Sequence, residues 1–325
     1  MRIGLVDVDS HNFPNLPLMK ISAYHKSNGD TVEWCNYFES YDKVYVAKVF
    51  GEEYEPSLLP QINAKEVIFG GTGYAITIEN GIEVYHKNKD IVLPDEVEHM
   101  YPDYGLYPEL TKDKAFGFLT RGSPNNCPFC VVSQKEGRVS RKVADLSEFW
   151  RGQKHIELLD PNILACKDHL DLLKQLVDSD ARVNFNQGLD ARFITEENVE
   201  LLTKIKTDMV HFAFDLMKNK DRIVKGLKLF RDRSNVNIRR SIVYVLTNFN
   251  TSIQEDLWRV NKVRALGYYP DVRIYRKNSL PKRHILRDLQ RWCNNRFIYN
   301  SISFEEYSPR GKTMKEEYGD ILGGN

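Results

Sequence analysis

Cys127 and Cys130 stand three residues apart in RGSPNNCPFC, residues 121 to 130. That spacing lets a single turn present two thiolates to a metal or a cluster. Four residues upstream of Cys127, where a third cysteine would complete Cys-x3-Cys-x2-Cys, the chain has Ser123. A serine hydroxyl ionises far less readily than a thiol, and it is a harder ligand than iron–sulfur chemistry favours. A zinc site would want four ligands, and the sequence holds no second Cys-x2-Cys pair. A thioredoxin-like redox pair would open a helix in a different fold.

The other residues able to do chemistry follow short β-rich runs. Asp160, Asn162 and Cys166 come after HIELL (155–159), and Gln187, Asp190 and Arg192 after RVNFN (182–186). Asp215 follows VHFAF (210–214), and Thr247, Asn248 and Asn250 follow SIVYVL (241–246). With FGFLT (116–120) and DVRIY (271–275) these make six candidate strands, separated by amphipathic helical stretches. The repeats predict a parallel sheet curled into a (βα)6 partial TIM barrel over residues 116–276, with its chemistry at the strands' C-terminal ends. Before it, IGLVDV (3–8), VYVAKV (44–49) and EVIFGG (66–71) read as strands. A helix carrying Leu18, Ile21 and Tyr24 on one face, and stopped by Gly29, lies between the first two. Residues 1–87 are therefore expected to form an open, Rossmann-like α/β domain. Residues 88–115, with Pro94, Pro102 and Pro108 and no sustained period, read as a linker or draped connection. Residues 277–325 remain as a C-terminal helical and strand extension.

The loop TRGSPNNCPFC after the first strand of a βα repeat resembles the cluster loop of the radical S-adenosylmethionine (radical SAM) enzymes. The resemblance covers residues 116 to about 276, and the preceding domain is similar to the cobalamin-binding-like domain of one branch of that superfamily. It implies a 4Fe-4S cluster held by three cysteines, with an open iron that chelates S-adenosylmethionine. Reductive cleavage of that cosubstrate gives a 5′-deoxyadenosyl radical, and an active enzyme needs an electron donor. Carried over by position, Cys127 and Cys130 are cluster ligands and Ser123 occupies the third ligand position. Phe129 matches the aromatic that packs near the adenine, Asp160 and Asn162 would contact the methionyl amine or ribose, and Gln187, Asp190, Arg192 and Asp215 would line the polar edge. Three outcomes stay open at Ser123: a cluster with the serine or water on one iron, rescue by Cys166, or no cluster and a silent binding protein on the same scaffold. Asp9 and His11 are similar to the Asp-x-His of cobalamin domains, but Pro14 replaces the expected glycine and Gly70-Gly71 follow Ser57 too closely. No cobalamin is expected.

Hydrophobic content of 42% and charged content of 28% fit a globular chain, and there is no apolar run long enough to span a membrane. The N-terminus starts as a strand and lacks a signal-peptide pattern. Five scattered cysteines make no disulfide framework, which fits a cytoplasmic location. The balance of 46 Lys and Arg against 45 Asp and Glu advertises no polyanionic partner for the chain as a whole. Locally, VRIYRKNSLPKRHILRDLQR (272–291) reads either as a solvated helix face or as a track for an RNA backbone. The substrate is not legible.

Overall fold

IGLVDV forms a strand because its apolar residues alternate between two covered faces. Ile3 and Leu5 pack with Leu18 and Ile21 on one side, and Val6 with Val44 and Val46 on the other. In the computed structural model, which describes residues 1–50, 59–79 and 82–323, this strand is β1 (Arg2–Asp7). Ser57 lies outside the described residues. Helix α1 (Leu16–Ser27) follows, capped by Asn15, whose side chain accepts the Leu18 amide; Gly29 then turns the chain at φ 81°. With β2 (Thr31–Trp34), β3 (Ser40–Ala47) and β4 (Asn63–Gly70) the result is a parallel sheet of order β2-β1-β3-β4. The expected strand–helix–strand unit is present. A short antiparallel ribbon, β5 (Ile76–Glu79) and β6 (Ile82–Tyr85), comes next.

The chain divides into two compact units, residues 1–161 and 162–325. In the first, the Pro-rich stretch forms α2 (Asp95–Glu98) and α3 (Pro108–Thr111), one turn each. Side chains pin it to the N-terminal sheet and α1. The Tyr107 hydroxyl donates to Asp7 at 2.6 Å, and Asp103 accepts from Ser22 and Lys26, both at 2.6 Å. Asp9, buried, accepts the amides of Val49 and Phe50 at 2.7 and 2.9 Å, so it caps the chain leaving β3. His11 stays exposed beside the Phe50 ring. Beyond these come β7 (Lys114–Gly117), β8 (Thr120–Arg121), the single-turn α4 (Val132–Lys135), β9 (Arg141–Lys142) and β10 (His155–Leu158). β7 pairs in parallel with β10, and β8 antiparallel with β9.

The second unit contains α5 (His169–Asp178), β11 (Arg182–Phe185), α6 (Glu196–Lys204), β12 (Val210–Ala213), α7 (Lys220–Arg233), β13 (Ser241–Thr247), α8 (Ile253–Ala265) and β14 (Tyr269–Ile274). Helices α9 (Ile285–Asn294), α10 (Arg296–Ser301) and α11 (Met314–Leu322) follow. β12, β13 and β14 form a parallel sheet in that order. Its buried side chains Phe212, Val243, Val245 and Val272 alternate with half-exposed ones, as a sheet with one covered face requires. Phe230 of α7 meets Phe212 edge-on at 5.0 Å between ring centres. Gly226 of α7 is a close-approach glycine: a Cβ there would lie 1.7 Å from the Ala191 carbonyl oxygen. The protein is thus mixed α/β with several parallel sheets, and no helix of the described residues is long and apolar enough to cross a membrane.

Candidate functional site

The strand expected over residues 116–120 is divided: β7 ends at Gly117 and β8 begins at Thr120. Two contacts explain the break. A Cβ on Gly117 would strike the Phe149 ring at 2.3 Å, so the backbone runs hard against that ring. The carboxylate of Asp160 then takes the next polar hydrogens. It accepts the Leu119 amide at 3.1 Å, the Thr120 amide at 2.5 Å and the Thr120 hydroxyl at 2.7 Å. Asp160 is buried, and burial pushes its carboxyl up to about 6 although the Thr120 hydroxyl and the two amides pull it down. These hydrogen bonds make Asp160 a clip on the chain entering the cysteine loop.

The loop itself hangs from the β8/β9 ribbon. Gly122 adopts φ 90° and presses against the Val139 carbonyl, leaving no room for a side chain. Glu136 accepts the Gly122 amide at 3.1 Å and pairs with Arg121 at 3.0 Å, while the Arg121 guanidinium lies 3.9 Å from the centre of the Phe118 ring. Ser123 is nearly buried; its amide donates to Gly137 at 3.1 Å and its hydroxyl accepts the Asn125 amide at 3.5 Å. The Cys130 amide donates to the Cys127 carbonyl at 3.0 Å, closing a turn that carries both thiols half-exposed, with Phe129 between them. Among the described residues no three His, Cys, Asp or Glu side chains gather as a metal site. Besides its two thiols, this loop offers the Ser123 hydroxyl as a donor.

A second group of expected residues gathers in residues 162–325. Asn162, buried, donates to Asp190 at 2.9 Å. Asp190 takes Arg192 through Nε at 2.8 Å and Nη2 at 2.7 Å, a two-point charge-assisted pair. Burial pushes the Asp215 carboxyl up to about 6, against the pull of Arg259 and Arg192, while nearby Asp190 adds to the rise. Gln187 stands exposed on the turn ahead of Gly188. Cys166 is buried, with its thiol 3.9 Å from the Asp168 carboxylate.

Two sets of residues were not singled out from sequence. Arg259, fully buried in α8, donates to the carbonyls of Phe214 (2.6 Å), Asp215 (3.0 Å) and Leu246 (2.7 Å), and pairs with buried Asp256 at 2.5 Å. It ties together the C-terminal ends of β12 and β13. Across the less buried face of their sheet, the His211 ring stacks on Tyr244 at 5.3 Å and Arg273 lies 4.8 Å from the Tyr244 ring centre. The signal for that row is the strand alternation in VHFAF, SIVYVL and DVRIY, since these residues occupy the positions between the buried ones. No protein-family model matches the chain and a search of curated proteins returns no match, so the functional reading rests on the residues and their geometry.

Proposed function

We propose that the chain is a radical SAM-type protein whose 4Fe-4S cluster is held by Cys127, Cys130 and the Ser123 hydroxyl. The observation that supports this most is the closed turn from Cys127 to Cys130, which carries two half-exposed thiols on a loop anchored at both ends. Thiolates are soft anions suited to cluster iron, so the pair fits the group; the third position offers oxygen in place of sulfur. When bound, such a cluster supplies an open iron for S-adenosylmethionine and the electron for its reductive cleavage. The chain's own residues then have distinct tasks. Phe129 gives an aromatic surface beside the cluster position. Within residues 162–325, Asp190, held by Arg192 and Asn162, and Asp215 are the polar residues that the resemblance assigns to the cosubstrate. Asp160 positions the loop, because its carboxylate already accepts three hydrogens from Leu119 and Thr120. The contacts of Cys166 suit packing rather than ligation. The strand–helix rhythm of residues 116–276, after a four-stranded parallel sheet, supports a Rossmann-like domain followed by a (βα)6 partial barrel.

Ser123 favours a second reading, a silent S-adenosylmethionine-binding protein on the same scaffold. Anaerobic reconstitution of the parent, Cys127→Ala and Cys130→Ala separates the two. Visible charge-transfer absorbance and bound iron in the parent, lost in both variants, support the cluster. Colourless parent that still binds S-adenosylmethionine by calorimetry supports the silent protein. A chain that binds neither overturns both.

A further inference from the structure

The near-zero net charge of the chain conceals a division. Residues 1–161 carry 17 Lys and Arg against 24 Asp and Glu, whereas residues 162–325 carry 29 against 21. The excess is concentrated: from Lys218 to Arg296 there are 20 basic residues and six acidic ones. Within that span residues 272–287 hold six Lys and Arg and no Asp or Glu. Of the six acids, Asp256, Asp271 and Asp288 are engaged by Arg259, Arg273 and Arg310.

The structure gives this basic segment a fixed shape. After β14 the chain turns through Arg276 at φ 49°, and Lys277, Lys282 and Arg283 are exposed on the connection to α9. Arg287 of α9 reaches back into that connection, donating to the carbonyls of Lys277 (2.7 Å), Leu280 (3.1 Å) and Pro281 (2.9 Å). The cations therefore stand on a braced loop. Beside them, at the C-terminal ends of β13 and β14, the rings of Phe249 and Tyr275 meet edge-on at 5.1 Å, and the Arg276 guanidinium lies 5.0 Å from the Tyr275 ring centre. Asn248 holds the two ends together by donating to the Tyr275 carbonyl at 2.8 Å.

We propose that this loop and the Phe249–Tyr275 pair form a binding surface for single-stranded nucleic acid. Lys277, Lys282 and Arg283 would contact successive phosphates, and the rings would take the face of a base. A duplex would hide its base faces from those rings. A lipid surface fits less well, because Leu280 is half-buried and Ile285 and Leu286 are buried, which leaves the loop no large exposed apolar side chain to insert. That the nucleic acid is a substrate rests on the enzyme reading above; the binding surface itself does not, so it is tested on iron-free protein.

The experiment measures fluorescence anisotropy of labelled single-stranded RNA and DNA oligonucleotides across a salt series. Three proteins are compared: the parent, a triple reversal K277E/K282E/R283E, and a remote triple K167E/K174E/K204E of equal charge change. The parent should bind with log affinity falling linearly with log salt. The local triple should reduce that slope by about 2, since each single-strand phosphate contact contributes about 0.7. The remote triple should leave the slope unchanged, and Tyr275→Leu should weaken binding about fivefold or more while Tyr275→Phe does not. Preference for RNA over DNA identifies a 2′-hydroxyl contact; equal binding identifies the backbone and base alone, and either supports the surface. Three results would overturn the proposal: no oligonucleotide binding, equal losses in the two triples, or anionic phosphatidylserine vesicles bound in place of oligonucleotides.

Discussion

Replacing Asp160 by Ala tests whether a buried carboxylate holds the entrance to the cysteine loop. The change leaves the amides of Leu119 and Thr120, both in fully buried residues, without their acceptor. Each orphaned donor costs about 1–3 kcal/mol, so the variant should lose about 2–6 kcal/mol. The pH dependence separates this account from generic core damage. Burial raises the folded-state carboxyl from 3.8 to about 6, so the native state binds the proton more tightly than the unfolded chain does. The stability from that proton is fully present below about pH 4 and is lost as pH rises through 6. At pH 5 it amounts to about 1 kcal/mol, and at pH 7.5 to almost nothing. Asp215, which has a similar shift, is present in both proteins and cancels in the difference. Urea unfolding of parent and variant at the two pH values should therefore show a penalty larger at pH 5 by about 1 kcal/mol. Equal penalties, or a smaller one at pH 5, would show that folding does not raise the Asp160 carboxyl.

Arg259→Ala should cost about 3–5 kcal/mol, because it leaves buried Asp256 unpaired and three strand-end carbonyls without a donor. A thermal shift no larger than that of an exposed control on the same helix, such as Asn261→Ala, would contradict the role given to Arg259. Gly122→Ala forces a side chain into φ 90° against the Val139 carbonyl, so the loop should rearrange at a cost of about 1–3 kcal/mol. Its expected signature is reduced iron uptake with the parent's circular dichroism; unchanged uptake would show that the loop tolerates a different entry.

Most strands were legible because their apolar residues alternate. β10 to β14 fall within two or three residues of the runs read from sequence, and the parallel sheet of residues 1–79 follows the same logic. The break at Phe118–Leu119 was not legible, since its cause is a carboxylate some forty residues away. Residues 88–115 showed no period because their two α-helices are single turns, held in place by isolated tyrosine and aspartate contacts, and β7 begins within the span at Lys114. Among the residues that follow successive strands, Asn162, Asp190 and Arg192 are joined by hydrogen bonds, and Asp215 lies near enough to feel the charges of Asp190 and Arg192. Gln187 belongs to the same series but faces solvent. Arg259 was hidden by its setting: in IQEDLWRVNKVRA an arginine reads as a solvated face, and only the facing carbonyls of Phe214, Asp215 and Leu246 make it a core residue.

On the proposed reading, the loop from Ser123 to Cys130 keeps a cluster-binding shape and lacks only one sulfur. The deciding measurement is the iron content of Ser123→Cys after anaerobic reconstitution, beside the parent. The restored third thiolate should bring the variant to about four irons per chain, with the parent clearly lower. A folded Ser123→Cys variant that remains iron-free would contradict the claim.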